Sequence, residues 1–188
     1  MINNPFLKYK IIEKERFEAR ALSLLEKDFI NTQSYGSKAQ PLPLRTPYLF
    51  YEEKIKELIQ PTFNVLEIGS GTGLHTDSLI KTGAYVTATD ISQNSLHVLE
   101  HNLSKSKKSG GRLRTLVADM ENLPFQDKSF DVVASAGSLS YGDSKIVDKE
   151  IRRVLKPNGF FICVDSLNNN PIYKFNRYMH YLQGTRSK

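Results

Sequence analysis

The chain has 188 residues, a length that predicts one domain with a single hydrophobic core rather than two independent domains. With 39% hydrophobic and 24% charged residues, its composition is globular and excludes a mainly disordered or fibrous chain. The single cysteine excludes an internal disulfide, and a net charge of +6, concentrated after residue 135, admits an anionic partner.

Two helices are predicted before the main fold. Between residues 12 and 30, apolar residues recur at three- and four-residue spacing, which is typical of an amphipathic helix. Residues 31–45 have no periodicity and contain two prolines, so we expect a loop long enough to act as a lid. Thr46 and Pro47 form a cap and first-turn pair that opens a second helix, which ends at Pro61. Residues 1–60 are therefore expected to form a helical extension with a lid loop.

Residues 61–188 alternate short β-rich runs with helical segments and are expected to complete one compact unit. The helical segments are 74–81, 92–105 and 144–155. Five runs have strand composition: FNVLEI, AYVTATD, RLRTLVAD, FDVVASAG and GFFICVDS. This alternation predicts an α/β fold with a Rossmann-like, doubly wound and mainly parallel sheet, covered by helices on both faces. Ligands of such sheets bind at the carboxyl ends of the strands, beside the first one.

The most informative segment is VLEIGSGTG at residues 65–73, where a buried-type strand runs into glycines at alternate positions and then a helix. Glycine lets the backbone approach a ligand closely, and the free amides of a helix start favour a polar or anionic group. A tight strand-to-helix connection without a ligand is the alternative interpretation of such a loop.

The residues around this loop favour a ligand that contains adenosine. Asp90 ends the second strand, where a carboxylate can accept both hydroxyls of a ribose. A dinucleotide fingerprint needs a small residue where Leu74 stands, and Glu67 would repel a pyrophosphate but attract a sulfonium and an ammonium group. These details favour S-adenosylmethionine, and a nicotinamide-dependent oxidoreductase remains as an alternative.

Four motifs in order resemble a class I S-adenosylmethionine-dependent methyltransferase, most closely the methyltransferase type 11 group. They are VLEIGSGTG, Asp90, ADMENLPFQDKSFDVV at 118–133 and RVLKPNGFF at 153–161. Each motif alone is weak, whereas their joint order over about a hundred residues is specific. The sequence departs from the usual pattern at Asn158, where glycine is common, but asparagine tolerates left-handed torsions.

The resemblance implies a set of cofactor-binding positions. The methionine portion would be held by Glu67, Gly69, Ser70, Gly71, Thr72 and Gly73. Asp90 would bind the ribose, and Ile91 would pack on the adenine. Asp119 would accept from the adenine amino group beside Met120, and Ala136 and Gly137 would lie under the sulfonium. No metal is expected, because the leaving group is a neutral thioether and no ligand cluster is visible.

Methyl transfer needs alignment more than a catalytic group, although an oxygen acceptor benefits from a general base. Candidates near the end of the fourth strand or the glycine loop are Tyr141, Asp143 and His75. Tyr35 and Arg45 are candidates for the cofactor carboxylate or the acceptor. His97 and His101 match a zinc-protease spacing, but we expect them to face solvent without a third ligand.

The carboxyl-terminal part of the sequence does not identify the methyl acceptor. The resemblance implies a small-molecule, sugar or lipid acceptor, and the alternative is a truncated, non-catalytic partner subunit that only binds S-adenosylmethionine. Class I enzymes usually have seven strands, so the short segment after residue 165 predicts an exposed fifth strand and a homodimer through that edge. Tail residues 171–188 have helical spacing and mix aromatic with basic side chains, which suits an anionic lipid or polysaccharide.

The chain shows no signal peptide and no apolar run long enough to span a membrane, so a cytoplasmic protein is expected. The basic run at 105–114 lacks interleaved aromatic residues, and no nucleic-acid partner is expected.

Overall fold

A computed structural model describes residues 5–26, 38, 45–104 and 112–165. These ranges contain a parallel five-stranded sheet with strand order β3-β2-β1-β4-β5. The strands are β1 Asn64–Ile68, β2 Tyr85–Asp90, β3 Arg112–Val117, β4 Phe130–Ala136 and β5 Leu155–Val164. The expected α/β architecture with two preceding helices is confirmed. Because the strand order reverses between β1 and β4, the carboxyl ends of these strands flank the crevice where such sheets bind ligands.

Five helices accompany the sheet within the described ranges. They are α1 Pro5–Glu26, α2 Arg45–Leu58, α3 Thr76–Ile80, α4 Gln93–Ser104 and α5 Ser144–Val154. The buried apolar residues of α2, α3 and α4 pack on one face of the sheet, and those of α5 pack on the other. Both faces are therefore covered, as the continuous apolar character of the central strands requires. None of these helices is long and apolar enough to cross a membrane.

Two element boundaries differ from the sequence prediction. Helix α1 begins at Pro5 rather than near residue 12, and proline suits a first helical position because its missing N–H needs no partner there. Strand β5 begins at Leu155, which pairs with Phe130 before the register shifts along β4. Asn158 has a φ of 66°, the left-handed torsion expected of it.

Candidate functional site

The glycine loop between β1 and α3 brings its main chain against a cavity. Gly69 and Gly71 have φ values of 64° and 54°, which other residues adopt at a cost. A Cβ on Gly69 would lie 2.3 Å from the Cβ of Ser138, so the β1 and β4 ends approach each other there as only glycine allows. A Cβ on Gly71 would meet no atom of the described residues within 4 Å, and Gly71 lines the cavity. The loop thus exposes bare backbone to a ligand.

Asp90 lies at the end of β2, beside this loop. Its Oδ2 accepts from the Gly71 amide at 2.8 Å, and its Oδ1 accepts from the Ser92 amide at 2.9 Å. Burial raises the pKa of Asp90, while these two backbone bonds oppose the rise. Each carboxylate oxygen keeps a further lone-pair direction, and the side chain lines the cavity.

The turn after β3 forms the neighbouring wall. Asp119 accepts from the Glu121 amide at 2.9 Å and forms an isolated bridge with Asn122, which fixes the turn. Met120 from this turn and Ile91 from the β2 end add apolar surface to the cavity. A carboxylate beside apolar side chains suits a flat heterocycle with an exocyclic amino group.

Helix α1 closes the cavity, a contribution that was not predicted from the sequence. Lys10, Glu13 and Phe17, spaced by three and four residues on one helix face, line the cavity. The Lys10 ammonium lies 2.6 Å from Asp119 Oδ2 and 2.5 Å from Glu121 Oε2. The Phe17 ring meets the Tyr141 ring edge-on at 5.4 Å. The spacing of α1 indicated an apolar face but not the surface against which it packs.

Glu67 does not line the cavity. Its side chain lies on the sheet face covered by α2 and α3, where its Oε2 accepts from the Thr76 hydroxyl at 2.6 Å. Burial raises the pKa of this carboxyl to about 8, and the nearby Asp90 charge adds to the effect. A cationic group at the loop would favour the ionised form of Glu67.

The end of β4 borders the same cavity. Gly137 lines it with a φ of 74° and donates its amide to the Val164 carbonyl at 2.8 Å. Ser138 also lines it, and its hydroxyl bonds to the Ile68 carbonyl at 3.0 Å and to Ser135. The carboxyl ends of β1, β4 and β5 are thereby linked around the cavity.

The remaining predicted cofactor positions lie in the same loops but not on the cavity wall. Ser70 donates its amide to the Thr89 carbonyl at 2.9 Å, and Gly73 donates to the Ser70 carbonyl at 3.1 Å. Thr72 accepts from the Asn102 amide group at 3.2 Å, and Ala136 is the last residue of β4. These residues shape the loops that carry the lining residues.

The three candidate catalytic side chains occupy different environments. Tyr141 lines the cavity. Asp143 caps α5, because its Oδ1 accepts from the Lys145 and Ile146 amides, and it does not line the cavity. His75 is buried and stacks on Tyr48 with ring centroids 4.8 Å apart, and burial lowers its pKa. Of the three, the cavity geometry selects Tyr141.

Other candidates fall away from the cavity or outside the described residues. Arg45 donates to the Lys38 carbonyl at 3.3 Å, whereas Tyr35, most of the lid loop and the tail lie outside the described ranges. His97 is exposed and contacts Gln93. His101 is half-buried rather than solvent-facing, because it lies next to the buried residues Val98 and Asn102 on α4, and its Nε2 has no hydrogen-bond partner among the described residues.

A family model described as "Methyltransferase domain" matches residues 66–163, which contain the glycine loop, Asp90 and the Asp119 turn. The chain belongs to this family. The match confirms the resemblance to the class I S-adenosylmethionine-dependent methyltransferases, type 11 group. Helix α1, with all three side chains that it contributes to the cavity wall, lies outside the matched segment.

Several curated relatives are similar to this methyltransferase-family chain. A sterol 4-C-methyltransferase of Caenorhabditis elegans is 30% identical over 150 residues, covering 79% of this chain and 44% of the relative. A mitochondrial arginine-hydroxylase of Mus musculus is 30% identical, with 76% and 42% covered. A demethylmenaquinone methyltransferase of Corynebacterium urealyticum is 35% identical, with 54% and 40% covered. The chain thus spans less than half the length of these relatives.

Among solved structures, a SAM-dependent methyltransferase from Methanosarcina mazei superimposes with a TM-score of 0.57 and 31% sequence identity. It covers 67% of this chain, and this chain covers 63% of that one. The structural likeness supports the Rossmann-like α/β fold.

Proposed function

We propose that this chain binds S-adenosylmethionine and transfers its methyl group to an oxygen, nitrogen or carbon atom of a small-molecule, sugar or lipid acceptor. The observation that carries the proposal is the single cavity wall shared by Gly71, Asp90 and the Asp119–Met120 turn. Gly71 leaves room for the methionine portion of the cofactor, Asp90 can accept from the ribose hydroxyls, and the Asp119–Met120 turn suits the adenine.

The residues present fit this cofactor. The open space over Gly71 leaves room for a ligand against bare backbone, and Asp90 keeps acceptor capacity toward the cavity. Ile91 and Met120 supply apolar faces for the base, and Asp119 supplies an acceptor for its amino group. Glu67, behind the loop, has a pKa raised to about 8 and holds its proton at neutral pH; the positive charge of the bound methionine portion would favour its ionised form, which then stabilises that charge without a cavity contact.

The chemistry supplied by bound S-adenosylmethionine is a sulfonium methyl group that leaves a neutral thioether on displacement. The residues of this chain then have to align the acceptor and exclude water. Gly137 and Ser138 border the cavity at the end of β4. Phe17 from α1 contacts Tyr141, which follows β4, and the two rings close the cavity. For an oxygen acceptor, we assign the Tyr141 hydroxyl to accept a hydrogen bond from the acceptor hydroxyl and so orient its oxygen, and the acceptor proton is released to solvent on methylation.

The acceptor class that we favour is an apolar, lipid-like molecule. Sterols and demethylmenaquinone, named in two relatives, are apolar molecules, and aromatic and apolar side chains contribute much of the cavity wall here. Screening lipid, sugar and small polar acceptors with labelled cofactor tests this choice. Cofactor binding without transfer to any acceptor would support the non-catalytic partner subunit instead.

The cofactor assignment is tested by calorimetry with S-adenosylhomocysteine. Asp90→Ala should weaken binding by roughly tenfold or more, because two ribose hydroxyls lose their acceptor. Asp148→Ala is the matched control, since Asp148 is an exposed carboxylate on α5 that pairs with the exposed Arg152. Equal affinity of Asp90→Ala and the parent protein would remove Asp90 from the site.

The organisation of the whole protein completes the proposal. We assign 1–60 to a helical extension with its lid loop and 61–188 to the cofactor-binding unit, in a cytoplasmic protein.

Within the described ranges β5 is an edge strand, and Phe161 on it is exposed. Such an edge favours pairing with a second copy, so we propose a homodimer. Light scattering that shows a monomer at high micromolar concentration would contradict the dimer.

A further inference from the structure

The Lys10 ammonium from α1 lies between two carboxylates of the β3 turn. It approaches Asp119 Oδ2 at 2.6 Å and Glu121 Oε2 at 2.5 Å, across more than a hundred residues of chain. All three side chains are at least two-thirds buried, with exposed fractions of 23%, 32% and 17%. Partial burial strengthens such charge-assisted bonds relative to bonds in open solvent.

These contacts fix the orientation of the Asp119 carboxylate at the cavity wall. Asp119 Oδ1 accepts from the Glu121 amide, and Oδ2 accepts from Lys10. Glu121 is held in the same way, since its Oε1 accepts from the Asp143 amide and its Oε2 accepts from Lys10. Without the ammonium, two neighbouring carboxylates would repel each other, and Asp119 would lose the partner that fixes its second oxygen.

We propose that Lys10 is a positioning residue for adenine recognition: it holds Asp119 as an acceptor for the exocyclic amino group of the base. This inference rests on the proposed function, because it assigns the ligand of the same cavity. Lys10 acts through Asp119 and contributes specificity from a helix outside the matched family segment. A base that carries a carbonyl at the position of the amino group would meet the Asp119 carboxylate as acceptor against acceptor.

Helix α1 has anchors that do not depend on Lys10. Glu18 accepts from the Gln93 and Asn94 amides at 2.7 and 3.1 Å, so it binds the first turn of α4. Phe17 packs against Tyr141. A Lys10 variant should therefore keep α1 in place, and its effect can be separated from loss of the helix.

The experiment compares S-adenosylhomocysteine with its 6-oxo analogue, S-inosylhomocysteine, by calorimetry. Lys10→Met should weaken S-adenosylhomocysteine binding by roughly tenfold and reduce the preference over the 6-oxo analogue by a similar factor. Lys10→Arg, which keeps the charge, should restore most of both quantities. Lys14→Met is the matched control, because Lys14 is exposed on the same helix.

Each outcome has a distinct meaning. Unchanged affinity and unchanged preference in Lys10→Met would overturn the role of Lys10 while leaving the proposed function intact. Equal loss for both ligands, with no rescue by arginine, would show a structural effect and would also overturn it. Absence of S-adenosylhomocysteine binding by the parent protein would instead contradict the proposed function.

Discussion

Glu67 is a carboxyl group enclosed between the sheet and α3, and its ionisation is linked to folding. Its pKa is raised from 4.5 to about 8, mainly by burial. Between these two pH values the folded chain holds this proton, whereas the unfolded chain releases it. The stabilisation of the folded chain by this bound proton is fully present below pH 4.5 and is lost as the pH rises through 8.

We therefore expect the free energy of unfolding to fall as the pH rises from 5 to 8, by on the order of 5 kcal/mol at most. Glu67→Gln keeps an acceptor for Thr76 and cannot ionise, so its stability should depend less on pH and exceed that of the parent at pH 8. Urea titrations at several pH values measure the difference. Asp90, whose pKa is also raised, contributes to both proteins alike. Parallel pH profiles would contradict the assignment.

Two glycines of one loop should respond differently to the same methyl group. Gly69→Ala places a Cβ against Ser138 at 2.3 Å in a left-handed conformation, so we expect a loss of roughly 3 kcal/mol or more in stability. The Gly71→Ala methyl group meets no neighbour in the part of the chain that the structure describes, so the loss of stability should be about 1 kcal/mol, from the torsion alone.

Ligand affinity should also be affected at Gly71, which lines the cavity. The Gly71→Ala methyl group would occupy space at the cavity, and we expect S-adenosylhomocysteine affinity to fall although the variant stays folded. Thermal unfolding and calorimetry on the same samples make the comparison. A Gly71→Ala protein with full affinity would show that the ligand does not approach this backbone.

At the scale of elements, α5 depends on Asp143 for its first turn. The carboxylate accepts from two amides that have no partner within the helix. Asp143→Ala should cost about 1 kcal/mol of stability, and Asp143→Asn should retain most of it. Denaturant titration measures both variants. Transferase activity of Asp143→Ala, measured well below its melting temperature, should be close to that of the parent. A large loss of activity with intact folding would restore Asp143 as a catalytic candidate.

Local signals predicted the strands that carry the proposed cofactor-binding positions. The β-rich runs fixed the ends of β1, β2 and β4, so Gly69, Asp90 and Gly137 were placed correctly at the carboxyl edge of the sheet. This works because parallel strands separated by helices bring their carboxyl ends to one edge, whatever packs around them.

Contacts between distant segments were not predictable in this way. Nothing near Lys10 in the sequence indicates Asp119 or Glu121, because the attraction arises only when α1 docks. His75 gave no sign of burial, since its cover is the Tyr48 ring from α2. The capping role of Asp143 was not predicted for another reason: a capping carboxylate and a general base look alike in one sequence.

At the scale of the whole molecule, the docking of α1 has a consequence for the order of folding. Its recorded bonds to the body of the protein join residues 75 to 111 positions apart in the chain. Closing such long loops costs more entropy than forming neighbouring strands and helices, so we expect these bonds to form late on the folding pathway. The sheet can then assemble first, with the ligand crevice still open along one side. A nascent chain would be able to take up its cofactor before α1 arrives, and the bound nucleoside would become part of the surface onto which the last helix folds.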